Sequence, residues 1–111
     1  MTQYLVFESR GYHFALPMSI VDNVSEDVHD GSGSFSRYFF NESESEPCCI
    51  VLTNSKCIRV HRFHEIVSLT ETILPIPGYV FEIEARQARG IIWSSSPKMI
   101  VLNEELLLER L

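Results

Sequence analysis

The sequence is short of positive charge and of long apolar segments, and each shortage excludes a class of protein. It holds 9 Lys and Arg against 15 Asp and Glu, which gives a net charge of −6. Nucleic-acid binding depends on a basic surface, so this class is excluded, and anionic lipid is an equally poor partner. No apolar run approaches the ~20 residues that span a membrane. A neutral or basic protein partner fits this composition best.

Cysteine is also scarce, and its number points to a reducing compartment. The three cysteines are an odd number, whereas a disulfide framework normally uses an even one. Cys48 and Cys49 are neighbours, and neighbouring strand residues point to opposite faces, so we expect a small core residue beside an edge residue. The first four residues lack the positive region of a signal peptide. We therefore expect a cytoplasmic protein without membrane insertion.

The signatures of catalysts are missing as well. There is no nucleophile elbow, HExxH motif or phosphate-binding loop. Cys57, His61 and His64 are residue types that zinc takes, but on a strand His64 points away from the other two. We therefore expect a core cysteine with surface histidines, no metal, no cofactor and no enzymatic activity. A zinc or thiol enzyme built on these three residues stays as the less favoured alternative.

What the sequence does contain is a series of short apolar runs separated by turns. The length of 111 residues fits a single domain, 1–111. Many short strands with frequent turns are typical of an all-β barrel or sandwich. Asn103 is a good N-cap for a short leucine-rich C-terminal helix. The predicted strands are Tyr4–Phe7, Tyr12–Leu16, Val21–Val24, Cys48–Thr53, Lys56–His61, Phe63–Leu69, Tyr79–Glu84, Ile91–Trp93 and Met99–Leu102.

The middle of the chain is different in character. Residues 25–36 are acidic and rich in glycine and serine, which predicts a flexible loop. The acidic residues from Glu42 to Glu46 predict a second, solvated loop. Tyr38, Phe39 and Phe40 lie between these loops, either as a strand edge tucked into the core or as an exposed patch that binds a partner. Trp93 has the same two alternatives, a core residue or an interface anchor.

The order of these pieces resembles that of CheW-like domains. The first strand, a glycine turn, and a second strand that ends in Leu16-Pro17 are similar to the start of that family. Later pieces of the chain follow the family's hairpin, its closing strands and its last helix in the same order. The segments that carry the resemblance are Gln3–Phe7, Tyr12–Val24, Cys49–Leu52, Cys57–Val60, Glu65–Val67, Pro75–Pro77, Arg89–Ile92 and Met99–Leu107.

The resemblance implies a fold and a function. The family's fold is a pair of small SH3-like β-barrels, and its members act as scaffolds that couple receptors to a histidine kinase in bacterial chemosensory arrays. This chain departs from the pattern in its middle, where the acidic Gly/Ser loop replaces a block that contains a receptor-coupling arginine. Asn103 also replaces the usual aspartate. The chain therefore resembles a shortened or divergent member.

These observations predict a non-enzymatic adaptor for protein–protein interaction in chemosensory signal transduction. Its expected partner is a histidine kinase, a chemoreceptor or both, and the candidate partner-binding residues are Tyr38, Phe39, Phe40 and Trp93. The alternative is an interaction module outside chemotaxis, which binds another protein or a second copy of itself. Both hypotheses assign no catalytic, cofactor-binding or metal-binding residues.

Overall fold

A computed structural model of the chain describes residues 2–26, 33–42, 44–69, 88–92 and 99–103. Within these residues β-strands dominate, which confirms the predicted all-β class. A single 3-10 turn, Met18–Ile20, and a single α-helix, α1 at Phe35–Phe40, accompany the strands in this part of the chain. The strands are β1 Thr2–Ser9, β2 Tyr12–Pro17, β3 Val21–Ser25, β4 Gly33–Ser34, β5 Cys48–Leu52, β6 Cys57–Val60, β7 Arg62–Leu69, β8 Ala88–Ile92 and β9 Met99–Leu102.

The strands form two sheets. The larger has the order β7-β1-β2-β9-β8, and the smaller has the order β3-β5-β6-β4. Most neighbouring strands are antiparallel, but β4 pairs in parallel with β6, and β9 pairs in parallel with β2, where Phe14 lies opposite Ile100. This pairing joins the beginning of the chain to its end. The predicted pairing of the last two strands is confirmed, since β8 and β9 form an antiparallel ladder.

The tight turn between β1 and β2 follows from its two residues. Arg10 has φ of 50° and Gly11 has φ of 82°, and a hairpin turn of this twist needs a positive φ at both positions. The glycine turn expected between the first two strands is confirmed. A carboxylate from a distant part of the chain also holds the turn, because Glu44 accepts hydrogen bonds from the Ser9 hydroxyl at 2.9 Å and the Arg10 backbone N–H at 3.0 Å.

The main core lies between the two sheets. Leu5, Phe7 and Phe14 from the larger sheet meet Ile50 and Ile58 from the smaller one. A second cluster, which includes Val6, Ala15 and Val101, lies on the opposite face of the larger sheet. The central strands β1, β2 and β9 are therefore buried on both faces, which explains why their sequences are continuous apolar runs rather than alternating ones.

The aromatic segment at 38–40 is a helix, and the strand considered for it is wrong. Helix α1 begins at Phe35, where the hydroxyl of the N-cap Ser34 accepts a hydrogen bond from the Arg37 backbone N–H at 3.3 Å. It ends at Asn41, which has the left-handed conformation that commonly stops a helix. Phe35 and Phe39 are four residues apart, so both point into the core from one face of the helix.

Two predicted loops are corrected by this helix. The flexible loop at 25–36 ends earlier than expected, because Gly33–Ser34 form β4 and the helix begins at Phe35. The acidic segment is not simply solvated, since Glu46 is buried at the start of the helix. The carboxylate of Glu46 accepts hydrogen bonds from the Ser34 hydroxyl and the Ser36 backbone N–H. A negative charge at a helix N-terminus is favourable because the helix dipole is positive there.

Several predicted elements lie outside the described residues. They are the strand at Tyr79–Glu84, the leucine-rich helix after Asn103, the side chain of Trp93, and residues 27–32 of the predicted loop.

Candidate interaction surface

The outer edge of the larger sheet presents an exposed apolar side chain. Strand β7 stands at this edge, and within the described residues no strand pairs with its outer side. An edge strand offers unpaired backbone N–H and C=O groups, which a strand from another chain can bind. Ile66 of β7 is 56% exposed, the largest exposed fraction among the large apolar residues described. This strand is therefore a candidate for partner binding.

The position of Ile66 follows from the register of three strands. Leu16 of β2 pairs with Leu5 of β1, and Leu5 pairs in turn with Ile66 of β7. The three side chains point to the same face of the sheet, because directly paired residues share a face. Leu16 and Leu5 are buried in the main core, whereas Ile66 extends the same row beyond the cover of the smaller sheet.

A groove continues this exposed row along the end of the sheet. It has a volume of about 520 Å³, and Ser68 brings it to within two residues of Ile66. Met18 contributes an apolar side chain that packs partly on the core, while Gln3 and Ser19 supply polar groups. We call Ile66 and the groove residues Gln3, Met18, Ser19 and Ser68 the β7 surface. An apolar centre with a polar rim is the usual composition of a protein-binding surface.

The structure separates the aromatic residues predicted to bind a partner. Phe39 is 4% exposed and packs against Phe14, so it belongs to the core and does not face a partner. Tyr38 and Phe40 are half-buried against the same core. The position of the Trp93 side chain lies outside the described residues, so its predicted role stays a prediction.

Phe40 is part of a small surface patch beside the β1–β2 turn. Its ring stacks on Tyr12 with 5.5 Å between centroids, and the guanidinium of Arg10 lies 5.9 Å from the Phe40 centroid. Arg10 also forms an ion pair with Glu42. These four residues line a shallow pocket of about 260 Å³. These contacts within the chain explain the arrangement of the four side chains without an external partner.

The cysteine and histidines considered for a zinc or thiol enzyme lie apart. Cys57 is on the smaller sheet, where its thiol contacts Cys49, and burial is the main cause that raises the pKa of Cys57 above 9.0. His61 follows this strand, and its Nδ1 lies 2.8 Å from the carbonyl oxygen of Ser45. His64 is on the larger sheet beside Glu8. A raised thiol pKa is the opposite of what a nucleophile needs.

A different histidine cluster is present on the larger sheet. The imidazoles of His13 and His64 have their ring centroids 4.6 Å apart and both direct Nε2 towards Oε1 of Glu8. The hydrogen bond from His64 is the main cause that lowers the pKa of Glu8 below 4.5, with smaller contributions from the charges of His64, Arg62 and His13. The carboxyl group is therefore ionised near neutral pH.

The pairing of two members of this cluster, Glu8 and His13, could be predicted from the sequence. A two-residue turn at Arg10-Gly11 places Glu8 directly opposite His13 in the hairpin. His64 could not be assigned to them, because its approach depends on the pairing of β7 with β1, between residues 56 positions apart. Val6 pairs with Glu65 and Phe7 pairs with Phe63, so His64 is the unpaired residue of a β-bulge.

None of the helices among the described residues is long and apolar enough to cross a membrane. No protein-family model matches the sequence, and no curated protein matches it either. The two small sheets and the one short α-helix of the described residues nevertheless match a known class, the CheW-like fold.

One solved structure that shows this is the scaffolding protein TtCheW from Thermoanaerobacter tengcongensis. It superposes with a TM-score of 0.73 at 16% sequence identity, over 92% of this chain and 84% of that chain. At this identity the likeness establishes a shared fold, which confirms the fold that the sequence predicted.

Proposed function

We propose that the chain is a non-enzymatic adaptor that binds a protein of a bacterial chemosensory system, either a histidine kinase or a chemoreceptor. The exposure of Ile66 on an edge strand is the observation that carries this proposal, because it marks a place where a partner can extend both the sheet and the apolar row. The shared fold with a scaffolding protein supports the choice of partner class.

In this proposal the partner adds an extended segment to the outer side of β7. Its backbone pairs with the strand, and an apolar side chain covers Ile66 and enters the groove beside Met18. Burying the exposed half of an isoleucine contributes about 1 to 1.5 kcal/mol, which is roughly a tenfold change in affinity. The net charge of −6 speeds association with a basic partner and disfavours an acidic one.

A second copy of the same chain is the other candidate occupant. Strand β7 is eight residues long, and an exposed edge of that length can pair with its own copy across a two-fold axis. This would make the chain a self-associating module outside chemotaxis. Self-association and adaptor function use the same surface, so one set of measurements separates them.

Binding of the purified chain to the kinase and the receptor from the same organism tests the proposal. Biolayer interferometry with each candidate partner measures the adaptor interaction, while sedimentation velocity over a range of concentrations measures self-association. The adaptor function predicts saturable binding to the kinase or the receptor by a monomeric chain. Binding to neither partner, with or without dimer formation, would exclude a role in chemotaxis.

A further inference from the structure

Three neighbouring strands of the larger sheet bring three potential metal ligands to one point. Glu8 pairs with Arg62, and His64 follows Arg62 by two residues, so alternation along the strand places His64 on the same face of the sheet as Glu8. Nε2 of His64 lies 3.1 Å from Oε1 of Glu8, and Nε2 of His13 lies 4.0 Å from the same oxygen. The ligand atoms of all three residues lie within 4.8 Å of one another.

These distances are close to what a metal ion requires. A zinc ion binds imidazole nitrogen and carboxylate oxygen at about 2.1 Å, so the ligand atoms of a tetrahedral site lie roughly 3.4 Å apart. Nε2 of His64 lies 3.1 Å and Nε2 of His13 lies 4.0 Å from Oε1 of Glu8, so side-chain shifts of about half an ångström would bring both to this separation. Each ligand comes from a different strand of one sheet, so the backbone holds their relative positions. The ionised carboxylate supplies the negative charge that a cation needs.

The exposure of the cluster leaves room for a complete coordination shell. The side chains of Glu8, His13 and His64 are 22%, 23% and 31% exposed. Three protein ligands with a position open to solvent are the arrangement of a zinc site that keeps an exchangeable fourth ligand. Two imidazoles and one carboxylate also match the preference of the later divalent transition metals, which bind imidazole better than magnesium or calcium does.

We propose that Glu8, His13 and His64 form a binding site for a divalent transition-metal ion, with zinc as the reference ion. The sequence predicted no metal. Two of the three residues considered for zinc as the less favoured alternative, Cys57 and His61, take no part in this site. A bound ion would join the edge strand β7 to β1 and β2 two residues from Ile66. It would thereby stabilise the edge that carries the β7 surface. The site stands independently of the proposed adaptor function.

Titration of the metal-free chain with zinc sulfate by isothermal titration calorimetry tests the site. We expect one zinc per chain, and we expect His13→Gln and His64→Gln each to weaken binding by at least about tenfold. His61→Gln is the matched control, since it removes a partly exposed histidine outside the cluster and should leave affinity unchanged. Circular dichroism of each variant verifies that it is folded.

The three free cysteines require a second measurement, because thiolates also bind zinc. Cobalt substituted for zinc should show ligand-field bands without a thiolate charge-transfer band if the ligands are nitrogen and oxygen. Saturating zinc should also raise the melting temperature of the parent by several degrees and leave the His13→Gln/His64→Gln double variant unchanged. Absence of stoichiometric binding, equal affinity in the double variant, or a thiolate band would each overturn the site and leave a hydrogen-bonded cluster.

Discussion

Ile66 lies directly opposite Leu5 in the β1–β7 ladder, yet Leu5 is 4% exposed and Ile66 is 56% exposed. The two side chains share a face of the same sheet and differ only by one strand position. The smaller sheet covers the side chain of Leu5 and leaves that of Ile66 open to solvent. An apolar row that begins in the core and ends on an edge strand provides both backbone groups and apolar area for a partner, which is the basis of the proposed function.

Substitution of Leu102 should unfold the protein. Leu102 is 1% exposed in β9, the strand that joins the last part of the chain to β2. Leu102→Asp places a charge in the main core without a partner, which costs more than about 4 kcal/mol and is comparable with the stability of a small domain. Val24→Asp is the control, because Val24 is 47% exposed. Circular dichroism should show a folded Val24→Asp chain and an unfolded Leu102→Asp chain, and a folded Leu102→Asp chain would contradict the assigned core.

Loss of the helix cap should reduce stability modestly. The Ser34 hydroxyl accepts from the backbone of helix α1 and donates to the buried carboxylate of Glu46. Ser34→Ala removes both hydrogen bonds, so we expect the free energy of unfolding to fall by about 1 to 2 kcal/mol in urea denaturation. Ser19→Ala, at an exposed serine in the 3-10 turn, should change it by less than about 0.5 kcal/mol. Equal effects of the two substitutions would show that the cap contributes nothing.

Substitution of Gly11, in the turn between β1 and β2, should reduce stability more with alanine than with asparagine. A Cβ atom at Gly11 would meet no other atom within 4 Å, so the cost of a side chain comes only from the positive φ of 82°. Gly11→Ala should therefore destabilise the protein by about 1 kcal/mol, and Gly11→Asn should cost less because asparagine tolerates this conformation. Thermal denaturation of both variants measures the difference, and an equal loss would contradict the conformational explanation.

The partly buried thiol of Cys57 should make stability depend on alkaline pH. Burial raises the pKa of Cys57 above 9.0 in the folded state, with a further increase from Cys49. As pH rises above 9.0, the unfolded chain loses this proton first, so the free energy of unfolding falls until the folded thiol also ionises. Urea denaturation between pH 8 and pH 11 should show a smaller decrease for Cys57→Ser than for the parent. An identical pH dependence would remove Cys57 as the cause.

Much of the fold could be predicted from local patterns. The apolar runs of β1, β2 and β9 and the glycine turn at Gly11 are signals carried by a few consecutive residues, and the structure confirms them. Helix α1 was missed because Tyr38, Phe39 and Phe40 favour strands, and because Glu46, which helps to start the helix, lies ten residues after Ser36. A contact at that separation has no local signature.

The candidate sites were harder to predict because they depend on sheet order. The exposure of Ile66 follows from the position of β7 at the edge, and Ile66 itself has the composition of a core residue. The approach of His64 to Glu8 depends on the pairing of β7 with β1, which joins residues 56 positions apart and has no local signature. The pairing of Glu8 with His13, by contrast, follows from the turn length.

The affinity of the Ile66→Lys variant for the chemosensory kinase or receptor tests the central claim most directly. Val24→Lys is the matched control, because it places the same charge at an exposed apolar residue on the edge strand β3 of the other sheet. The proposed function predicts that Ile66→Lys raises the dissociation constant at least about tenfold in biolayer interferometry while Val24→Lys leaves it unchanged. Equal affinities of the two variants, or a loss confined to Val24→Lys, would contradict it.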